Sequence, residues 1–496
     1  GLDCFFSSGA VFVLVALKVP FYETILSSFS LARSLRIRRL DNVPLPPHFP
    51  AVTMMDVDRD APLLDPMNPP SGFPWHRWAS NTINIPKFIQ ILETIGNGGS
   101  FPLYPNSKLL ELDNDEVDDR GHNFWHHYHP RAEDENVWIR EKHQPVIVRG
   151  GRVMRPQVAP YENKIHATIL IEEAIELARY LQPHNPRMAA LTEGDFPFLW
   201  DGYDYPFCGD DLVPIFRWNM FASNKMCNFS FPFVSGHLWI KHYSGTKALN
   251  PFFSEKGKLS RHSWFEQTRE WDHIYPWESK QAKAVWRGTL TGFFRDKDRP
   301  RWKMVEKGMA FPSTMDIKFS GATQYIDLVH GTPQFVDHEE KNMAETIPKE
   351  DFMKYRAIID IDGNGWSSRF CDLLCFNSVV IKVESTYQAY FEKDLKPMVH
   401  YIPVKADLSD LEAAISFAVS DEAQKDVRTI ISNANSWCAN NIIHYRMVTD
   451  FMWTLLAYAE LLQGADGWYE QWKSNKIAYE WPKLKMSDET RPEMSG

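Results

Sequence analysis

The second half of the chain alternates short apolar segments of strand length with segments whose apolar residues repeat at helical spacing. The strand candidates in this half are residues 284–286, 357–361, 379–383 and 399–404. Parallel neighbouring strands need a crossover connection, which is usually a helix, so this alternation predicts an α/β fold with parallel sheets. Two such sheets are expected, because further strand and helix patterns begin near residue 143.

Three local patterns in the first half support the same fold class. The segment PVIVRGGRVMR predicts a hairpin that turns at Gly150 and Gly151, because adjacent glycines suit tight turns. Apolar residues between positions 167 and 181 recur at spacings of three and four, which predicts a helix. The apolar run at 196–200 predicts a buried strand, and further along the chain Asp407 is expected to cap a helix.

Composition describes a folded, mildly acidic protein. The chain has 496 residues, of which 44% are hydrophobic and 24% are charged, so it is able to bury a sizeable core. Its 54 Lys and Arg residues against 64 Asp and Glu residues give a net charge of −10. General nucleic-acid binding depends on neutralising phosphates, so no nucleic-acid partner is expected. Aromatic residues make up 14% of the chain, which suits sugar rings but equally suits a large core.

The cysteines and histidines predict no metal site. The six cysteines form no C-x-x-C pair or zinc-ligand spacing, and the histidine cluster at 122–129 has no carboxylate or Cys at helical spacing. Cys208 and Cys227 lie 19 residues apart and either form a disulfide or remain free buried thiols. Asn228 begins the only N-x-S/T triplet and is a candidate glycosylation site, although such triplets also arise by chance.

An apolar segment near the beginning of the sequence leaves two interpretations open. Residues 10–17 are followed by Lys18 and Pro20, so the segment is shorter than the roughly 20 residues of a membrane-spanning helix. It is either a targeting remnant, meaning a signal or an N-terminal membrane anchor, or a packed helix. If it did span a membrane, the arginines at 33–39 would place the rest of the chain in the cytosol, which disagrees with a lumenal location.

Two carboxylates directly follow the strand predicted at 196–200. The loop reads Asp-Gly-Tyr-Asp-Tyr-Pro and contains Asp201 and Asp204. Open α/β sheets hold ligand groups in loops at the carboxyl ends of strands. A carboxylate there is able to act as a general base that takes a proton from an attacking hydroxyl. The alternative is a structural turn, because Asp and Gly before Pro are common turn formers.

A second loop offers groups that bind phosphate. Arg287, Gly288 and Thr289 end a predicted strand, and Arg295 follows eight residues after Arg287. Main-chain N–H groups, hydroxyls and guanidinium groups all bind phosphate oxygens. The spacing matches neither a Walker loop nor G-x-G-x-x-G, so an ordinary surface turn is the alternative.

The longest motif is IIDIDGNGWSSRFCDLL, in which a strand ends, a glycine-bearing loop follows and a helix is expected to start near Ser367 or Ser368. Exposed N–H groups at that start, with Arg369 in the first turn, favour a diphosphate. Asp360 and Asp362 form a D-x-D pair that would bind a divalent ion together with a nucleotide. The structural alternatives are a serine cap and two solvated acids at a strand end.

Four motifs together resemble a known family. WRGTLTG, DGNGWSSRF, LKPMVHYIPV and DLSDL follow one another, over roughly residues 125–460, as in glycosyltransferase family 90. That family includes capsule-associated fungal xylosyltransferases and animal protein O-glucosyltransferases. The resemblance implies an α/β fold of the GT-B type, in which two Rossmann-like lobes face a cleft, with an irregular N-terminal extension. It also implies inverting transfer from a UDP-sugar with no obligatory metal or other cofactor.

The resemblance assigns roles to particular residues. Asp204, in its D-x-P context, would be the general base, and Asp201 is the second choice. The residues implied to bind the UDP-sugar are Arg287, Gly288, Thr289, Arg295, Gly365, Ser367, Ser368 and Arg369. The animal enzymes carry an Arg where this chain has Leu290, so the donor sugar and the acceptor stay open.

The resemblance also implies an organisation and an activity. We expect an N-terminal extension at 1–120, an acceptor-side lobe at 121–255, a nucleotide-sugar-binding lobe at 256–465 and a C-terminal tail at 466–496. The expected activity moves glucose or xylose to a hydroxyl of a glycan or of a protein Ser or Thr, in the secretory pathway (ER or Golgi lumen). Two other classes stay open. One is a catalytically degenerate carbohydrate-binding or scaffold protein, and the other is a glycoside hydrolase that uses two carboxylates.

Overall fold

The computed structural model describes parts of the chain that all lie within residues 43–496, one of the two units into which the chain divides. The described residues are 84–96, 143–156, 163–201, 215–217, 219–221, 230–232, 264–291, 300–320, 326–327, 332–333, 342–363, 365–385, 387–442, 444–465, 467–480 and 484–486. The predicted targeting segment and the histidine cluster lie outside them. Among the helices described, none combines the length and the apolar character needed to cross a membrane.

Strands and helices alternate along much of the described chain. The strands are β1 (His143–Arg149), β2 (Arg152–Pro156), β3 (Asp195–Asp201), β4 (Ile215–Arg217), β5 (Asn219–Phe221), β6 (Ser230–Pro232), β7 (Gln281–Gly288), β8 (Met315–Phe319), β9 (Ile326–Asp327), β10 (Thr332–Pro333), β11 (Tyr355–Asp360), β12 (Val379–Val383), β13 (Tyr387–Ala389), β14 (Ile402–Val404) and β15 (Leu484–Met486). The helices are α1 (Ile85–Gly96), α2 (Asn163–Leu181), α3 (Ala189–Thr192), α4 (Trp264–Ile274), α5 (Pro300–Ala310), α6 (Phe370–Leu373), α7 (Leu411–Val419), α8 (Gln424–Asn441), α9 (His444–Gln463), α10 (Trp468–Ser474) and α11 (Lys476–Glu480).

The first sheet is mixed and has the strand order β15-β2-β1-β3-β4-β6. β1 and β2 form the predicted hairpin, and Gly150 and Gly151 adopt positive φ angles of 53° and 70°. A Cβ atom on Gly151 would lie 2.6 Å from the carbonyl oxygen of Thr192, so the turn requires glycine. β1 pairs antiparallel with β3, whereas β3, β4 and β6 run parallel. The expected second sheet is therefore present, but it is mixed rather than wholly parallel, because the hairpin reverses the chain before β3.

The second sheet confirms the parallel α/β prediction for the second half of the chain. Its strand order is β14-β12-β11-β7-β8, and every neighbouring pair is parallel. All five residues of β12 are buried, as expected of a parallel strand covered on both faces. α5 packs against the edge strand β8, and α7 packs over β7, β11 and β14.

The chain returns to the first sheet after it completes the second. α9 packs against α2 and α3, which flank the mixed sheet. The hydroxyl of Tyr458 in α9 donates to the carbonyl of Pro197 in β3. Arg187 donates two hydrogen bonds, of 2.8 and 2.7 Å, to the carboxylate of Glu460. These contacts hold the C-terminal helices on the first sheet.

A disulfide joins the segment between α6 and β12 to helix α8. It links Cys375 to Cys438. One turn earlier in α8, the amide of Asn435 donates to the carbonyls of Leu374 and Phe376 at 3.0 and 2.9 Å. The disulfide and the amide together fix α8 to the segment that follows α6.

The strand predicted at 399–404 is shorter than expected, because Met398 to His400 form a turn and Tyr401 makes only an isolated bridge to Pro397. Met398 has a φ of 57°, and its N–H donates to the carbonyl of Tyr401 at 2.7 Å. The imidazole of His400 turns back and accepts a 2.9 Å hydrogen bond from the N–H of Lys396. Pairing with β12 therefore begins only at Ile402.

Two helix starts also differ from the prediction. The helix after the glycine-bearing loop begins at Phe370, with Arg369 at the N-cap position, and has only four residues. α7 begins after Asp410 rather than after Asp407. The carboxylate of Asp407 accepts the N–H of Ser409 instead, in a local turn that ends before the helix.

Candidate active site

The carboxyl ends of the parallel strands meet at one edge of the second sheet. The chain leaves β7 for β8 on one side and then returns past β7 to β11, so the strand order reverses between β7 and β11. Ligands of open α/β sheets bind in the crevice outside such a switch point. The segments that reach this crevice are residues 288–291 after β7 and residues 360–369 after β11, and both belong to motifs that the sequence singled out.

Asp360, the last residue of β11, is fully buried and has a partner on each carboxylate oxygen. Ser367 donates its hydroxyl to Oδ1, and Lys382 of β12 donates Nζ to Oδ2 at 3.0 Å. Burial alone would lower the pKa of Lys382, but Asp360, Glu392 and Asp362 raise it, so the ammonium stays charged. The pair keeps a buried carboxylate compensated, as burial of a charge requires.

Asp362 holds the next turn of the same loop. Its Oδ1 accepts the N–H of Ser367 at 3.1 Å, and its Oδ2 accepts the hydroxyl of Ser385. Burial raises the pKa of Asp362, while Lys382 and the Ser385 hydroxyl oppose that rise. A divalent ion on the D-x-D pair would have to displace Lys382 from Asp360. In the part of the chain that the structure describes, no three His, Cys, Asp or Glu residues are grouped to hold a metal.

Arg301, at the start of α5, joins the two loops through their carbonyl groups. Its Nε donates to Asp362 at 2.8 Å, its Nη1 to Thr289 at 2.9 Å and its Nη2 to Ile361 at 3.3 Å. The side chain is buried, and burial together with the charge of Arg369 lowers its pKa to about 9. Because all three guanidinium nitrogens donate to main-chain carbonyls, Arg301 holds the two loops together.

Gly363 allows this close approach of the loops. A Cβ atom on Gly363 would lie 2.9 Å from Oγ1 of Thr291 and 3.0 Å from Nη2 of Arg301. Both distances are shorter than ordinary van der Waals contacts, so a larger residue would displace the guanidinium group or the loop after β7.

Arg369 reaches from the N-cap position of α6 back to β7. Its Nη1 donates to the carbonyl of Arg287 at 2.7 Å, and its guanidinium carbon lies 6.0 Å from the ring centroid of Trp286. Burial lowers the pKa of Arg369, and Asp360 and Asp372 oppose that effect. Its Nε and Nη2 make no hydrogen bond to any described residue. An anion at the crevice would therefore find a guanidinium group that is held in place but only partly used.

The side chain of Arg287 points to the neighbouring strand β8. It donates to the carboxylate of Asp316 at 2.7 Å and to the carbonyl of Asp316 at 2.8 Å. The hydroxyl of Tyr355 donates to the other carboxylate oxygen at 2.6 Å. Burial alone would raise the pKa of Asp316, but the hydrogen bonds from Tyr355 and Arg287 hold it below its usual value. Arg287 thus ties β7 to β8, and only its carbonyl group meets Arg369.

The remaining predicted residues of the crevice are held by main-chain contacts. The carbonyl of Gly288 accepts the N–H of Ser320 at 2.9 Å, and the carbonyl of Thr289 accepts Arg301. The carbonyl of Gly365 accepts a 3.0 Å hydrogen bond from within the loop, and that of Ser368 accepts a thiol. Their binding of a UDP-sugar stays a prediction.

Several predicted functional residues lie outside the described residues. These are Asp204, Arg295, Asn228, Cys208 and Cys227. Asp201 is the last residue of β3, where its main chain is in register with His143 and Arg217. The catalytic roles of Asp204 and Asp201, and the phosphate-binding role of Arg295, stay predictions.

Three residues of the site, Arg301, Lys382 and Ser385, were not predicted from the sequence. Lys382 could have been identified from the sequence, because it is the only charged residue in the strand VVIKV. A lysine in a strand that is buried on both faces needs a buried acid nearby. Arg301 carried no such signal, since it starts a helix and its partners are main-chain carbonyls of distant loops.

Comparison with known proteins decides the family. The family model for glycosyl transferase family 90 matches residues 162–471, more than half of the chain and the whole described crevice. The chain belongs to glycosyltransferase family 90. This membership confirms the resemblance that the four motifs indicated.

Its curated relatives include several protein O-glucosyltransferases. Protein O-glucosyltransferase 2 of Danio rerio is 33% identical over 154 residues, 30% of this chain and 27% of the relative. Protein O-glucosyltransferase 3 of Rattus norvegicus is 27% identical over 186 residues, 35% of this chain and 32% of the relative. Protein O-glucosyltransferase 1 of Mus musculus is 29% identical over 189 residues, 38% of this chain and 44% of the relative. The chain therefore spans less than half the length of each of these relatives.

Proposed function

We propose that the chain is an inverting glycosyltransferase that moves glucose or xylose from a UDP-sugar to a hydroxyl of a glycan or of a protein Ser or Thr. The proposal includes a GT-B arrangement of two Rossmann-like lobes, no obligatory metal, and action in the ER or Golgi lumen. Family membership supports sugar transfer. The names of the relatives support glucose as the sugar and a protein as the acceptor.

The position of Arg369 at the switch point carries the proposal. Breaking the bond between the sugar and the diphosphate develops negative charge on the leaving nucleotide. A preorganised cation stabilises that charge where it develops. Arg369 meets this requirement, because the carbonyl of Arg287 fixes its guanidinium group while Nε and Nη2 are free of described partners.

The network around Arg369 supports the same interpretation. Arg301 holds the loops after β7 and β11 together, and Lys382 keeps Asp360 in place below them. A crevice whose walls are fixed before the substrate arrives needs little reorganisation during the reaction. In the proposal, this rigid crevice holds the diphosphate. Arg301, Lys382 and Asp360 keep their protonation states throughout the reaction.

The general base in this proposal is Asp204, with Asp201 as the second choice. Support comes from β3, because Asp201 is its last residue and Asp204 comes three residues later in the sequence, and open α/β sheets hold ligand groups at the carboxyl ends of strands. Inversion needs one base that accepts the proton of the attacking hydroxyl. A retaining glycoside hydrolase would instead need two close carboxylates and no nucleotide.

Release of UDP from a set of donors tests the proposal. The purified chain is incubated with UDP-glucose, UDP-xylose, UDP-galactose or UDP-glucuronate, each with and without EDTA. We expect UDP release from UDP-glucose or UDP-xylose that persists in EDTA and is lost in Asp204→Asn. Release that requires a divalent ion would contradict the metal-independent mechanism, and full activity of Asp204→Asn would move the base to Asp201.

Two other outcomes would favour the alternative classes. A degenerate binding protein would bind UDP or sugar but release no UDP from any donor. A glycoside hydrolase would cleave aryl glycosides in the absence of nucleotide, and the substitution Asp201→Asn or Asp204→Asn would abolish that cleavage.

A further inference from the structure

Trp286 lies on β7 directly before residues 287–289, the R-G-T motif, and its side chain is fully buried. The ring packs edge to face against Phe319 of β8, with the ring centroids 6.0 Å apart. Its indole N–H makes no hydrogen bond to any described residue. What the side chain contributes therefore comes from the aromatic ring and not from its polar atom.

Two guanidinium groups lie over this ring. The Cζ atom of Arg301 is 5.5 Å from the ring centroid, and that of Arg369 is 6.0 Å from it. A cation within about 6 Å of an aromatic centroid is attracted by the negative face of the ring, and tryptophan gives the strongest attraction of this kind. Arg301 is buried and Arg369 is half-buried, so water screens the attraction only in part.

The two guanidinium groups also repel each other. After burial, the charge of Arg369 is the next cause that lowers the pKa of Arg301, and Asp362 and Asp360 offset part of this effect. The ring of Trp286 compensates both cations without a formal charge. A further carboxylate at this place would instead repel an anion that approaches Arg369.

Main-chain contacts hold the same two guanidinium groups. Arg369 donates to the carbonyl of Arg287, and Arg301 donates to the carbonyl of Thr289. These carbonyls come one and three residues after Trp286. Each guanidinium group therefore makes two contacts with one short segment, the ring and a carbonyl, and a shift of the ring would disturb both groups.

Gly288 leaves room for the ring. A Cβ atom on Gly288 would lie 2.6 Å from Cζ2 and 3.1 Å from Cη2 of Trp286. Both distances are shorter than ordinary van der Waals contacts, so a larger residue would displace the ring or the end of β7. The position of the ring thus accounts for the glycine of the R-G-T motif.

We propose that Trp286 is a positioning residue of the crevice, whose ring holds the guanidinium groups of Arg301 and Arg369 in place so that Arg369 is able to bind a diphosphate. The inference rests on the proposed function for the identity of the anion, whereas the positioning is argued from the contacts of the ring. It gives Gly288 a role that needs no contact with the nucleotide.

Calorimetric titration of UDP into the full chain tests the proposal. Trp286→Leu removes the aromatic face, whereas Trp286→Phe keeps a weaker one and loses no hydrogen bond to a described residue. Trp468→Leu is the matched control, because Trp468 is also fully buried and its ring stacks on Trp472. Each substitution is repeated in Arg369→Gln, and urea denaturation gives the free energy of unfolding of every protein.

We expect UDP to bind Trp286→Leu about tenfold more weakly than the wild type, Trp286→Phe about threefold more weakly and Trp468→Leu equally well. In Arg369→Gln, the substitutions at Trp286 should have little further effect, because the ring acts through Arg369. If Trp286→Leu does not fold, the smaller loss in Trp286→Phe is tested in the same way. Wild-type affinity in the Trp286 variants, or an equal loss with and without Arg369, would overturn the proposal.

The free energies of unfolding separate this inference from the proposed function. The losses in Trp286→Leu and Arg369→Gln should be non-additive, because each substitution removes the same contact. Non-additive losses in a chain that binds no UDP would support the positioning by the ring and contradict the proposed function. Additive losses in a chain that binds UDP would overturn the inference and leave the proposed function in place.

Discussion

The guanidinium group of Arg369 donates a 2.7 Å hydrogen bond to the carbonyl of Arg287. Arg287 lies in β7 and Arg369 follows β11, the two neighbouring strands between which the strand order of the sheet reverses. The carbonyl of Arg287, in the R-G-T motif, thus orients the side chain of Arg369, in the DGNGWSSRF motif. The side chain of Arg287 is occupied by Asp316 on β8. The two motifs therefore meet through the main chain of Arg287 and the side chain of Arg369.

Substitution of Arg301 is expected to loosen both loops. Arg301→Lys keeps the charge but loses the fork that reaches Thr289, Ile361 and Asp362, so buried carbonyl groups lose their donors. We expect the free energy of unfolding to fall by about 3 kcal/mol, measured by urea denaturation. Arg428→Lys is the control, because its side chain is 59% exposed. Equal stability of the two variants would contradict the clamp.

The pair Lys382–Asp360 gives a coupled prediction. Lys382→Met leaves a fully buried carboxylate without its cation and should cost about 3–5 kcal/mol of stability. The double variant Lys382→Met with Asp360→Asn removes both charges and should recover a large part of that loss, because the asparagine oxygen still accepts from Ser367. Denaturation of the wild type, both single variants and the double variant gives the coupling energy, and additive losses would refute the ion pair.

The parallel sheet could be predicted from the sequence because each strand is recognised from a few consecutive residues. The strands β7, β11 and β12 each contain a short apolar run, and the hairpin at Gly150 and Gly151 is fixed by glycines that accept positive φ. The turn at 398–400 was missed because four of the six residues in VHYIPV (399–404) are β-branched or aromatic, which favours a strand. Only the left-handed backbone of Met398 and the buried imidazole of His400 break it.

The candidate site was predicted in part, because its motifs are local while its partners are distant. Arg369 and the loop around Asp360 were recognised, but Lys382 lies 22 residues from Asp360 and Arg301 lies 61 residues from Asp362. Nothing in a single sequence pairs residues at those separations. The early start expected for α6 was wrong for a related reason, since Asp360 and Asp362 both hold Ser367 and delay the helix.

Removal of the disulfide is expected to destabilise the chain. Cys375 and Cys438 are 63 residues apart, and a cross-link that closes a loop of this length contributes about 4 kcal/mol by restricting the unfolded chain. We expect Cys375→Ala with Cys438→Ala to lower the urea midpoint, and a reductant to bring the wild type to the same midpoint without affecting the variant. Peptide mapping that finds Cys375 alkylated in the unreduced protein would contradict the bond.

Glu392 predicts a pH dependence of stability. Burial raises its pKa from 4.5 to about 7, with the charge of Lys382 opposing and those of Asp362 and Asp360 adding to the rise. Between these pH values the unfolded chain releases the proton while the folded chain keeps it, so stability falls as the pH rises.

The measurement is the free energy of unfolding of the wild type and of Glu392→Gln at several pH values from 4 to 8. The wild type should lose on the order of 2 kcal/mol relative to Glu392→Gln over this window. Glu412→Gln should follow the wild type at every pH. Parallel curves for the wild type and Glu392→Gln would show that Glu392 titrates normally.

Calorimetric titration of UDP tests most directly whether the crevice between β7 and β11 holds the donor nucleotide. The three proteins are the wild type, Arg369→Gln and Arg428→Gln, the last of which removes an exposed guanidinium group on α8. We expect UDP to bind the wild type and Arg428→Gln equally, and Arg369→Gln about tenfold or more weakly. Unchanged UDP affinity in Arg369→Gln would contradict this location of the donor site.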